Sequence, residues 1–76
     1  MRVYVAIEHF GDYALGRGQT MTSAVVGVFR DKERAFCAAE KRAWLWGEHK
    51  TRRMHGKYLV SQEGAILFEI VGCKIG

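Results

Sequence analysis

The chain has 76 residues, of which 49% are hydrophobic and 26% charged, a balance that excludes the polar bias of a disordered segment and suits one hydrophobic core. A domain of this length buries only about 60% of its unfolded surface, so one domain over 1–76 of modest stability is expected. Twelve Lys and Arg against eight Asp and Glu give a net charge of +4, which favours an acidic partner.

Residues 2–10 alternate, with Val3, Val5, Ile7 and His9 on one side and Tyr4, Ala6, Glu8 and Phe10 on the other. That period and its β-forming residues predict a first strand. Residues 11–19 contain Gly11, Gly16 and Gly18 and read as a connecting loop. A second, valine-rich strand is expected over 23–30, and Asp31 follows as the N-cap of a helix.

From residue 32 to about residue 48 there is no proline and much alanine, which predicts a helix of four to five turns weakened at its end by Gly47. Ala35, Ala39, Ala43 and Trp46 fall in one arc with Phe36 on its flank, a stripe to lay on a sheet. Cys37, Glu40, Lys41 and Trp44 fall on the opposite side. Trp44 is therefore either an outward binding anchor or a side chain folded over the sheet edge as core.

Residues 49–56 read as a basic connection, residues 57–62 as a third strand, Glu63-Gly64 as a two-residue hairpin turn, and residues 65–75 as a fourth strand. These elements make an α+β domain of ββαββ type, a four-stranded antiparallel sheet with one helix packed on one face. A single helix leaves the other face bare. Tyr4, Phe10 and whichever of Leu67 or Phe68 faces away are expected to be exposed or covered by a second copy, so a homodimer is a candidate.

No catalytic constellation can be assembled. Cys37, Cys73, His9, His49 and His55 have no spacing that joins a nucleophile to a base, and the cysteines read as reduced, packed thiols. Nor do they supply the short paired spacings of a zinc site, while Gly16-Arg17-Gly18 lacks the remainder of a nucleotide-binding fingerprint. The expectation is a protein that is not an enzyme and takes no metal or cofactor. With no apolar run near the length of a membrane span and an N-terminus that alternates with charge, no membrane partner and a cytoplasmic location are expected.

The strongest functional signal is the charge between residues 41 and 57. Lys41, Arg42, Lys50, Arg52, Arg53 and Lys57 are half of the basic residues, against one acid, Glu48. Such a cluster attracts phosphates or carboxylates, or is simply a solvated surface. Trp44, one turn beyond Lys41, would add the aromatic anchor typical of a binding hot spot.

Val3-Tyr4-Val5 and the run Gly27-Val28-Phe29-Arg30-Asp31 leading into Ala35, Ala38 and Ala39 resemble a pattern in small accessory proteins of bacteriophages. The resemblance spans roughly residues 3–40 and implies a non-enzymatic protein that acts in the bacterial host. Such proteins include anti-CRISPR and other anti-defence inhibitors, which cover a surface on a host protein or ribonucleoprotein complex. On this reading Trp44, Lys41, Arg42, Lys50, Arg52, Arg53 and Lys57 contact the partner. The alternative is a small nucleic-acid-binding or regulatory domain in which the same cations meet a phosphate backbone.

Overall fold

A computed structural model describes residues 1–10 and 22–75. It is an α+β fold of five strands and one helix: β1 (Arg2–Phe10), β2 (Thr22–Phe29), α1 (Lys32–Leu45), β3 (Thr51–Met54), β4 (Tyr58–Ser61) and β5 (Ile66–Lys74). All pairings are antiparallel, and the sheet order is β2-β1-β5-β4-β3. The expected count of four strands is corrected to five, because the basic segment read as a connection contains β3. The loop expected over 11–19 lies outside the described residues, as does the side chain of Phe10.

Both ends of α1 are set by local chemistry. Asp31 is the N-cap, its carboxylate accepting a 2.8 Å hydrogen bond from the Arg34 amide, which satisfies one of the unpaired donors of the first turn. The helix stops at Leu45, short of the expected residue 48. Gly47 adopts φ +89°, the Gly47 amide donates to the Trp44 carbonyl, and the Glu48 amide donates to the Ala43 carbonyl, each at 3.0 Å. This is a Schellman closure, in which a residue without a Cβ takes the left-handed position. Gly47 ends the helix outright.

Two tight turns build the β3–β4–β5 meander. At the first, His55 (φ 55°) and Gly56 (φ 66°) both lie in the left-handed region, and the Lys57 amide returns to the Met54 carbonyl at 3.2 Å. Two consecutive positive φ angles turn the chain with the twist of the flanking strands, and because Met54 pairs with Tyr58 the loop is three residues long, 55–57. At the second, Ser61 pairs with Ala65 and the Gly64 amide donates to the Ser61 carbonyl at 3.0 Å. Its loop is therefore three residues long, not two, with Gly64 at φ +93°.

The helix lies on the side of the sheet that carries Tyr4, Ala6 and Glu8. Ala35, Phe36, Ala39 and Ala43 form the core with Ala6, Leu59, Phe68 and Ile70, while Tyr4, Val26, Phe29 and Leu67 pack around it. The expectation that Tyr4 would be exposed or covered by a second copy is corrected, since Tyr4 is partly buried against this core on the helix side of the sheet. Phe68 is fully buried beneath the helix and Leu67 is partly buried. Alanines at Ala6, Ala35, Ala39 and Ala43 let the helix backbone approach the strands closely. Trp46, placed on the buried arc by periodicity, sits instead at the C-cap, partly exposed, with its ring stacked 5.3 Å from Phe68.

Val3, Val5, Ile7 and His9 occupy the other face with Val25, Val28 and Val71, since residues paired across antiparallel strands share a face. A bulge in β2 between the partners of Ala6 and Ile7 allows Val25 and Val28 to lie on that same face although they are three residues apart. No helix among the described residues is long and apolar enough to cross a membrane.

Candidate functional site

Seven residues are expected to contact a partner, and the fold divides them into groups with different environments. Arg42 is held by a structural carboxylate: its Nε donates a 2.9 Å hydrogen bond to Oε2 of Glu8, which is only 1% exposed. A buried carboxylate is tolerated only with a counter-charge and a hydrogen bond, and Arg42 supplies both from the overlying helix.

Arg53 is likewise engaged. It points to the helix side of β3, opposite Leu59, where its Nε donates to Glu40 at 3.2 Å and its terminal nitrogens reach Glu33 and Glu40. Its guanidinium also stands 4.7 Å from the centre of the Phe36 ring. These contacts tie the β3–β4 hairpin to α1. The hydrogen bond from Arg53 holds the Glu33 carboxyl below its usual range, and the same carboxylate raises the Arg53 guanidinium above its own.

The remaining cations are exposed: Lys41 on the outside of α1, Lys50 beyond the helix end, Arg52 on β3 and Lys57 after the His55-Gly56 turn. Lys57 Nζ lies 5.1 Å from the centre of the Tyr58 ring. Arg52 pairs with Val60 and Arg53 with Leu59, so these two neighbours project to opposite faces. The charge that is contiguous in sequence is thus divided in space.

Trp44 is the most distinctive of the seven. Its side chain stands outward from α1 at 60% exposure and stacks on His49, with ring centres 3.9 Å apart and planes 26° from parallel. The Schellman turn makes this stack by folding the chain back beside the last helical turn. Trp44, Leu45, Lys41, Glu40 and Cys37 line an open hollow of about 590 Å³. Leu45 is 83% exposed, an unusual display of apolar surface on a small domain. Glu40 is engaged with Arg53, and the Lys41 ammonium is the lining charge for which no ion pair occurs among the described residues.

Sequence reasoning found Trp44 and Lys41 on this surface and placed Cys37 and Glu40 on the same side, but it missed Leu45. The available signal was angular, since Leu45 stands 200° around the helix from Ala43. Glu8, Glu33 and Glu40 were missed as partners of Arg42 and Arg53, as these pairings join residues distant in sequence. Both cysteines are free and exposed, which corrects the reading of packed thiols. No cluster of three or more metal-ligating side chains occurs among the described residues. Comparison with protein-family models, curated proteins and solved structures returned no match for this chain.

Proposed function

We propose that this chain is a small non-enzymatic binding protein that docks the outer face of α1 against an acidic protein surface and acts by covering it. The observation that carries the reading is the exposed pair Trp44 and Leu45 beside the Lys41 ammonium. A large aromatic anchor next to an aliphatic side chain and a cation is the composition that concentrates binding energy at protein interfaces. The stack on His49 holds the indole in place before contact, which reduces the entropy lost on binding. In keeping with the resemblance to small bacteriophage proteins, the partner class is a host defence complex and the action is inhibition of the anti-CRISPR kind.

Direct contact with a nucleic-acid backbone is the second reading, supported by exposed Lys50, Arg52 and Lys57. It is weakened by the engagement of Arg42 with Glu8 and of Arg53 with Glu33 and Glu40. Capture from bacterial lysate with the tagged chain, with and without nuclease, tests both. A stoichiometric protein partner that survives nuclease and is lost with Trp44→Ala supports docking through α1. Recovery that disappears with nuclease and is indifferent to Trp44→Ala replaces it with nucleic-acid binding.

A further inference from the structure

The two edges of the sheet are built differently. β3 is four residues long and carries Arg52 and Arg53, a short charged edge of the kind that resists pairing with another chain. β2 is twice as long, has the sequence Thr-Ser-Ala-Val-Val-Gly-Val-Phe and contains no charge and no proline. Its outer side has no strand partner among the described residues, although about half of its backbone N–H and C=O groups point that way. Val25 and Val28, on the face away from the helix, are 64% and 60% exposed. Among the described residues the usual protections of an edge are missing here, apart from one bulge.

From this asymmetry we infer that β2 is a homodimerisation edge, pairing antiparallel with β2 of a second copy to join the two sheets into one. A two-fold axis between Val26 and Gly27 sets Val25 of one copy beside Val28 of the other. Residues three apart in a regular strand lie on opposite faces and could not form this pair. The bulge puts both valines on one face and so makes the strand complementary to itself, as an isologous contact requires.

Charge distribution favours the same occupant. Each copy carries +4, but Arg52, Arg53 and Lys57 belong to the hairpin at the opposite edge of the sheet. Pairing through β2 therefore brings two uncharged strands together and keeps those basic groups apart. An axis perpendicular to the sheet leaves both helices on one side, so Val5, Ile7, Val25 and Val28 of the two copies become a single apolar strip on the other. The inference is independent of the binding role proposed for Trp44.

Sedimentation of the full chain over roughly 1–200 μM, a range that spans micromolar self-association, tests it together with Val25→Lys and Val28→Lys. Both positions are on the surface, and far-UV circular dichroism checks that each variant folds. The expected result is a wild-type species of twice the 8.6 kDa monomer that either substitution weakens at least about tenfold, while Trp44→Ala leaves it unchanged. A wild type that stays monomeric throughout overturns the inference, as does a dimer that both lysine variants preserve or that only Trp44→Ala dissolves. Should neither lysine variant fold, amide exchange of the wild type decides. Protection along Thr22–Phe29 that rises with protein concentration upholds the β2 edge, and protection independent of concentration rejects it.

Discussion

Arg42 on the helix and Glu8 on the first strand form a 2.9 Å ion pair in which the carboxylate is buried and the guanidinium is half exposed. Removing the cation leaves a charged acceptor in the core without its partner. Arg42→Ala is expected to cost about 2–3 kcal/mol, below the range for fully buried pairs because water still reaches the guanidinium side. In a domain of this size that lowers Tm by roughly 10–20 °C. Thermal melts followed by circular dichroism measure it. A shift under about 2 °C, within what an ordinary surface change produces, would show that the pair contributes little.

The Arg53 cluster predicts the acid limb of stability. Glu33 has a lowered pKa in the folded state because Arg53 donates hydrogen bonds to it. A depressed folded value means that the unfolded chain binds the proton first as pH falls. The contribution is therefore complete above the ordinary carboxylate range near pH 4 and lost as pH drops through the folded value. Melts of the wild type and Glu33→Gln between pH 2 and 7 should show a gap at neutral pH that closes in acid. A gap of constant size would break the link to Glu33.

Much of this architecture was legible because it is local. The N-cap at Asp31, the alanine stripe of α1 and the first two strands depend on spacing within a few residues, and the structure reproduces them. β3 was hidden because its four residues include two arginines, and because its turn uses His-Gly where Asn-Gly or Asp-Gly is the familiar signal. The face of β1 that meets the helix was also obscure. Val3, Val5 and Ile7 are the more apolar set, yet the helix covers Tyr4, Ala6 and Glu8. Close packing of an alanine-lined helix selects a small residue, Ala6, over a branched one, and Arg42 makes the adjacent Glu8 tolerable. Hydrophobicity alone points the other way.

The candidate site was partly legible for the same reason. The outward direction of Trp44 follows from helix geometry, whereas the capture of Arg42 and Arg53 by carboxylates depends on the tertiary fold. Composition counts these two cations as part of a patch, and the fold uses them to fasten α1 to β1 and to the β3–β4 hairpin.

His55 bears the strain of the first hairpin. A residue with a Cβ is held at φ 55° there, a region that Asn enters more readily and β-branched residues avoid. His55→Asn should raise stability by roughly 0.5 kcal/mol and His55→Val should lower it by about 1–2 kcal/mol. Equal melting temperatures for the two variants would mean that the turn relaxes at little cost.

The two free cysteines offer a test of the docking surface that leaves Trp44 intact. Cys37 lines the hollow beside Trp44 and Leu45, whereas Cys73 pairs with Val3 on the face of the sheet away from the helix. Both thiols are exposed, so a maleimide should label each in the native protein. In a Cys73→Ser background, a bulky adduct on Cys37 should block capture of the protein partner by filling the space next to the indole. With Cys37→Ser, the adduct on Cys73 should leave capture unchanged. Helix content by circular dichroism should be the same in both labelled proteins, so the contrast reports on access rather than folding. Capture blocked equally from both positions would remove the assignment to the outer face of α1, and capture that tolerates the Cys37 adduct would exclude this hollow from the interface.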